Sequence, residues 1–499
     1  MSINFLTIPA TIRTGGQFIE YSNAQATSGL LAAMPNNNLI IALQRSSGGT
    51  LAANTLSPIA SVADARVKWG QGSIMANMVQ AWFDMNPYLP LYGIGITPTG
   101  AAAVGGFVFT GTATAAGQVN AYICGQKVTC SVSVGDTSIV VATALCNAIV
   151  AYCLLTDLPV VASNGTPSTT TITALDTGSH GNANTILGGG IDLRINYNAG
   201  DYLPAGLACT ITVMTGGTLF PVLSAAIAAM GATWFTTVVT HLNDSTQVGL
   251  LEANALTQWG PMIMQDQQVY FGGTGSRAVQ ESECPVARNS PFSTYMGGGL
   301  SPTPGWVWAA QAACADASTS DPAQPRGQVL LTDCLPPGPG LNFVWSDRNA
   351  MLGEGISTYT VVGGQCYTER LITTYQKAAS GAADISYMSI ETMRTLAYMR
   401  YTWRTWIALK FPRFKLAADG TTFDPAQKIV TPKRITDEAI AWFQSMIDAG
   451  LGYNKPQFIL ALAGQVQINQ TDPNRVDMIM TPQLIRCFRT LAAQIQFLL

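Results

Sequence analysis

Between Asp201 and Asp244 the chain carries no charged residue, a run long enough to cross a bilayer. Whether it does so decides the class of fold. A membrane span needs ~20 continuous, largely apolar helical residues. This run is interrupted by Pro204, Gly216, Gly217, Pro221 and Gly231, and it is rich in threonine. Its most apolar part, residues 220–239, reads as a short alanine-rich helix, a break at Gly231 and a Thr/Val strand. The expectation is a soluble chain with no membrane insertion. Residues 1–16 lack a charged region followed by a long apolar stretch, so no signal peptide is expected.

Scarcity of charge extends to the whole chain. Its 499 residues are 48% hydrophobic and 11% charged, with a mean hydropathy of +0.23. An ordinary soluble domain carries roughly 25% charged residues. The composition excludes a disordered solvating protein, which needs high charge and low hydrophobicity. With 25 Lys+Arg against 28 Asp+Glu the net charge is −3, which excludes a generic basic nucleic-acid binder. A charge-poor chain without a span is expected to bury its surface against copies of itself. The ten cysteines form no C-x-x-C pair and no zinc spacing, so buried reduced thiols are expected. Only His180 and His241 supply imidazole, and neither a metal nor a cofactor is expected.

A composition shift sets residues 103–217 apart. They hold only seven charges (Lys127, Asp136, Asp157, Asp176, Asp192, Arg194 and Asp201) and are dense in Gly, Ala, Thr and Val. Short strands are predicted at 107–110, 119–123, 128–132, 169–175 and 208–214, with turns at Gly117 and Gly125. One helix is predicted over 137–155, where Ile139, Ala142, Cys146, Ile149, Val150 and Cys153 recur at helical spacing. Glycine-rich joints flank this region, as around an inserted β-rich domain. The surrounding chain reads as an α/β core over 31–102 and 218–370. Its strands are expected at 38–43, 236–239, 261–264 and 268–271, with helices near 76–85, 221–230 and 246–256. Alternation of this kind predicts a mostly parallel sheet covered on both faces.

Residues 371–492 read as a separate α+β C-terminal domain. Thr436 is placed as the cap of a helix with Asp437 and Glu438 in its first turn, Ile440, Phe443 and Ile447 as its buried stripe, and Gly450 at its end. A second helix is predicted from Thr481 and Pro482, carrying Leu484, Cys487, Phe488 and Leu491. Residues 493–499 form a strand-like arm, and residues 1–30 an N-terminal arm.

Catalytic motifs are sparse. There is no G-x-S-x-G elbow, no H-E-x-x-H and no phosphate loop. Gly273, Gly275 and Ala278 match G-x-G-x-x-A, but Pro285 follows closely and a structural turn is expected. His241, Asp244 and Ser245 hold the residue types of a hydrolase triad, yet lie too close together to fan out from rigid elements. His180 is placed in a surface loop. Basic residues alternate with aromatics over 394–415, a pattern that can bind single-stranded nucleic acid. At 3.6 residues per turn these aromatics cover much of a long helix, and burial with Arg–acid pairing is the expectation. No catalytic residue is assigned.

The two ends of the chain are more informative. Gln494, Ile495, Gln496, Phe497, Leu498 and Leu499 alternate as a strand with no room to fold back. Gln17, Phe18, Ile19, Glu20 and Tyr21 form a second short strand, isolated by Gly15 and Gly16. Lone apolar strands expose unpaired backbone groups. Both are expected to complete sheets of neighbouring copies.

These residues, with others, resemble the contractile-tail sheath proteins of Mu-like bacteriophages. Arg13 to Tyr21 is similar to the family's R-x-P-G-x-[YF]-x-E arm, with Gly15 where proline is usual. Glu369-Arg370-Leu371-Ile372-Thr373-Thr374-Tyr375-Gln376 and Lys410-Phe411-Pro412-Arg413-Phe414-Lys415 resemble recurrent sheath segments, as do 431–433, 472–477 and 492–497. The resemblance implies an α/β core called subtilisin-like by shape alone, with an outward-facing insertion. It also implies arms that exchange strands in a helical homo-oligomer around a tail tube protein, with baseplate and tail terminator proteins as partners and no nucleic acid. The implied place is the phage tail of the virion, after assembly in the host cytoplasm. By analogy with the family, Asp437, Glu438, Gln444 and Asp448 are placed on a tube-facing helix. The competing expectations are a subtilisin-like hydrolase using His241 and a nucleic-acid binder using 394–415.

Overall fold

The computed structural model describes residues 33–165, 167–183, 190–283, 288–424 and 426–497. The N-terminal arm, with Gln17, Phe18, Ile19, Glu20 and Tyr21, lies outside the described residues, as do Leu498 and Leu499. The chain divides into two compact units, one spanning Pro35–Arg394 and the other including Thr395–Leu499. The division falls later than the 370/371 boundary expected from sequence. Leu371, Ile372, Thr373 and Thr374 are buried in the first unit, where Ile372 N donates to Ser357 Oγ and Thr374 N to the Ser293 carbonyl.

A nine-stranded sheet organises the first unit. Across it run Leu330–Leu331, Gln365–Arg370, Ile356–Val362, Ser293–Gly297, Gln268–Gly273, Thr237–Thr240, Asn38–Leu43, Leu91–Ile96 and Leu56–Pro58. The six strands from Ile356–Val362 to Leu91–Ile96 are parallel, and antiparallel strands close both sides. All six residues of Asn38–Leu43 are buried, as parallel strands covered on both faces require. Alternation sends Phe271, Tyr295 and Ile356 to one face, with Val248 and Met351, while Tyr270 and Met296 join the main core.

The helix Gly305–Ala317 is buried along its whole length. Its close seat on the sheet depends on two glycines. A Cβ on Gly305 would stand 2.6 Å from the Gly272 carbonyl oxygen, and one on Gly272 would stand 2.7 Å from that of Gly305. At the C-terminal end of this helix Asp316 is completely buried. It accepts hydrogen bonds from Arg326 Nε at 2.9 Å, Arg394 Nε at 2.8 Å and the Tyr270 hydroxyl at 2.7 Å. Burial alone would raise this carboxyl, but the guanidiniums of Arg394 and Arg326 outweigh it and hold its pKa at about 2.

Residues 104–215 build two further sheets, one of four antiparallel strands and one of three, around the helix Ser138–Cys153. Gly117 opens a strand rather than forming a turn. The sparse charges of this segment are tied down locally. Asp157 accepts from Arg66 at 2.8 Å and from Gly72 N at 3.1 Å, while Asp192 pairs with Arg194 and Asp201 with Lys127. None of the described cysteines forms a disulfide, and Cys124, Cys130, Cys146, Cys314, Cys334 and Cys366 are buried.

The expected strand at 261–264 is a turn. Pro261 has no N–H to offer a ladder, Ile263 N and Met264 N both return to the Gly260 carbonyl, and Met264 sits at φ +57°.

In the second unit the helix Pro432–Asp448 begins one turn earlier than expected. Thr431 caps it by accepting from Arg434 N, with Pro432 in the first turn. Thr436 lies inside the helix and donates its hydroxyl to the Pro432 carbonyl at 2.9 Å. The buried face is Ala439, Trp442, Phe443 and Met446, with Ile440 and Ile447 only half-buried. The helix expected from Thr481 is instead a short strand, Gln483–Leu484, paired with Gly452–Tyr453. The chain after it has no regular structure as far as Phe497.

Candidate assembly interface

The C-terminal segment is the strongest candidate. Gln494, Ile495, Gln496 and Phe497 are all exposed and belong to no strand of their own chain. Ile495 is 90% and Phe497 77% exposed. Upstream, Phe488 and Leu491 are also exposed, while Leu484 and Cys487 are half-buried. A row of large apolar side chains in water marks a surface that a partner covers.

Of the four residues placed on the tube-facing helix, the structure brings three to one outer side. Asp437 and Asp448 are exposed, and half-buried Gln444 donates to Asp448 Oδ1 at 2.7 Å. Glu438 points the other way. Its Oε2 accepts from Trp406 Nε1 at 3.0 Å and pairs with Lys410 Nζ at 3.3 Å. The sequence reading misses this because it starts the helix five residues late, at Thr436 instead of Thr431, which places Asp437 and Glu438 together in one capping turn.

Several basic and aromatic residues of 394–415 are engaged within the chain. Arg394 binds Asp316. Trp403 packs at 5.4 Å on Trp442, whose Nε1 donates to Thr402 Oγ1. Lys410 stands over the Trp406 ring at 5.0 Å, and Arg434 lies 5.5 and 5.4 Å from the Phe411 and Phe414 rings. These rings are occupied as stacking platforms.

No triad is assembled around His241. Asp244 instead caps the helix Ser245–Trp259 by accepting from Gln247 N, and the Ser245 carbonyl accepts from Arg288. His180 is not in a surface loop. It is buried in the turn Ser179–Gly181, its ring against that of His241. Burial lowers the pKa of His180 to about 4 and that of His241 well below the ordinary imidazole value. Gly273 to Ala278 forms a strand-to-helix turn at Arg277–Glu283. Among the described residues no group of three or more His, Cys, Asp or Glu is placed to hold a metal. No helix among them is long and apolar enough to cross a membrane.

Residues 221–374 match the phage tail sheath protein central domain, and residues 382–498 match the phage tail sheath C-terminal domain. The chain is 36% identical over 504 residues to the tail sheath protein of the Mu-like prophage FluMu from Haemophilus influenzae, with all of both chains covered. The chain belongs to the phage tail sheath protein family. It is a structural subunit of a phage tail sheath. Solved structures similar to it include a sheath tail protein from Desulfitobacterium hafniense (12% identity, TM-score 0.45, 94% of this chain and 100% of that one). Another is the contracted helical sheath of the anti-feeding prophage (9% identity, TM-score 0.46, 98% and 99%).

Proposed function

We propose that copies of this chain polymerise as a helical tube around a tail tube protein and contract to drive that tube through a host envelope. The observation that carries this reading is the exposed apolar segment at residues 488–497, which its own chain leaves uncovered. Gln494 to Leu499 would add a strand to a neighbour, and Gln17 to Tyr21 would do the same at the other end. Backbone hydrogen bonds in such arms persist while rigid cores slide past one another. The work comes from interface area, at about 25 cal/mol per Å² of additional apolar burial, so no nucleotide or cofactor is needed.

The parallel sheet core corresponds to the subtilisin-like shape of the family, without its chemistry, and residues 103–217 are an insertion facing outward. Asp437, Gln444 and Asp448 face the tube. Baseplate and terminator proteins bound the polymer, which is assembled in the host cytoplasm and carried in the virion.

The test is deletion of residues 494–499. Because residues 494–497 are exposed, the truncated chain should stay folded by circular dichroism and form no tubes by negative-stain microscopy. Normal tubes from the truncated chain would overturn the arm assignment.

A further inference from the structure

The charge that the chain does carry is divided by sign. Residues 35–394 hold 12 Lys and Arg against 20 Asp and Glu, whereas residues 395–499 hold 12 against 7. One unit is therefore net −8 and the other net +5, in a chain whose overall charge is −3. Opposite potentials on separate surfaces of one subunit attract between copies.

Each unit concentrates its sign in a local patch. In the first, the helix Arg277–Glu283 contacts the helix Trp345–Gly353. Arg277 there faces three carboxylates, with Glu281 at 2.5 Å, Asp347 at 3.9 Å and Glu354 within its field. One cation among three anions leaves the patch negative. Beside it Trp345 is 70% and Val344 60% exposed. A large exposed aromatic with a charged rim has the anatomy of a protein interface.

In the second unit the strand Lys415–Leu416 pairs with Ile429–Val430, and Lys415 N donates to the Lys428 carbonyl. Arg413, Lys415, Lys428 and Arg434 are all exposed there, with Arg434 lying over Phe411 and Phe414. With Lys433, five cations stand there against three carboxylates, which leaves the surface positive. Asp419 accepts from Lys433 N, Asp424 from Ala426 N, and Asp437 pairs with Lys433 Nζ at 3.7 Å.

We propose that these are the two halves of one contact between copies. The acidic Trp345 surface of one subunit receives the basic Arg413–Arg434 surface of the next. The halves differ, so the contact is head-to-tail and propagates into an open polymer instead of closing a pair. This rests on the reading of the chain as a self-assembling sheath subunit, and it names a contact that the terminal arms do not supply.

The test is a charge swap in the full-length chain, read by sedimentation and negative-stain microscopy, with circular dichroism as the folding control. Glu281→Lys with Glu354→Lys should raise the concentration needed for polymerisation about tenfold, as should Arg413→Glu with Lys415→Glu. The chain carrying all four changes should recover to within about threefold of the parent. Glu354→Lys alone keeps the Arg277–Glu281 pair and serves if the double variant misfolds. Polymerisation of the parent should weaken as salt is raised, because screening shortens the reach of these charges.

Folded single-patch variants that polymerise like the parent would overturn the contact while leaving the sheath reading intact. Loss with the basic-patch variant alone, without rescue by the swap, would assign that surface to a different acidic partner. A parent that stays monomeric at every salt concentration counts against both readings.

Discussion

His180 and His241, the two histidines of the sequence, lie ring to ring at 5.7 Å with an interplanar angle of 78°. One comes from the 104–215 segment and the other from the end of the central strand Thr237–Thr240. Both are almost fully buried, at 3% and 4% exposure. Among the described residues His180 Nδ1 has no hydrogen-bond partner. The contact joins the segment to the sheet only while both rings are neutral.

The consequence is a loss of stability in mild acid. Burial holds the folded pKa of His180 at about 4, and burial together with His180 holds that of His241 well below 6.5. Between about pH 6.5 and 4 the unfolded chain therefore binds more protons at these two histidines than the folded one, and their contribution to stability falls as pH falls. For His180 alone the full effect is about 3 kcal/mol. Asp176 and Asp333, both raised to about 7 chiefly by burial, shift stability in the opposite direction. The measurement is accordingly a difference. Denaturant midpoints of the parent and of His180→Phe/His241→Leu should diverge below pH 6.5, with the parent losing more. Parallel curves would contradict the neutral-pair account.

Asp316 governs a different pH range. Its folded pKa of about 2 lies below the usual carboxylate value, so its stabilisation is present above about pH 4 and is lost only as pH falls toward 2. At neutral pH, Asp316→Asn would leave Arg326 and Arg394 buried against a neutral group. A cost of about 3–5 kcal/mol is expected, read as a lower denaturant midpoint. Arg66→Ala would leave Asp157, whose side chain is 2% exposed, with Gly72 N as its remaining donor, and should cost about 1–3 kcal/mol.

Much of the sheet could be read in advance for a physical reason. A parallel strand buried on both faces is mostly apolar, so the runs Leu39 to Leu43 and Val269 to Phe271 announce their strands, while Ser293–Gly297, with polar Ser293 and Thr294 buried, does not. Cues that depend on distant partners did not. Gln483–Leu484 is a strand because Gly452–Tyr453 is there to pair with it, while locally Thr481 and Pro482 have the form of a helix start. His180 sits among Ser, Gly and Asn, a loop composition, yet tertiary packing buries it. At 431–436 the helix starts at Thr431 and not at the expected Thr436, since Thr431 with Pro432 supplies both cap and first turn. The exposed tail was legible because it concerns what the chain cannot do alone.

Two glycines should respond oppositely to substitution. Gly305→Val places a branched side chain where even a Cβ would meet the Gly272 carbonyl oxygen at 2.6 Å. Neither backbone can yield without displacing a wholly buried helix, so the variant should be insoluble or lose more than about 3 kcal/mol. Gly249 lies within the helix Ser245–Trp259, and its Cβ would meet nothing within 4 Å. Gly249→Ala should raise stability by about 0.5–1 kcal/mol through helix propensity. Thermal unfolding of both variants checks the pair of outcomes.

The helix Pro432–Asp448 allows stability to be separated from assembly. Glu438 holds Trp406 and Lys410, so Glu438→Ala leaves a half-buried indole N–H without its acceptor and should cost about 1–2 kcal/mol. Asp437 is exposed, and its contact to Lys433 at 3.7 Å joins two exposed side chains. Asp437→Ala should change stability by no more than about 0.5 kcal/mol. If the outer side of this helix faces the tube, then Asp437→Ala and Asp448→Ala should leave unfolding curves in place yet reduce co-sedimentation with preformed tail tubes. Equal destabilisation by Asp437→Ala and Glu438→Ala would show that the helix is not divided in this way. Unchanged co-sedimentation by both outer variants would remove this helix from the tube contact.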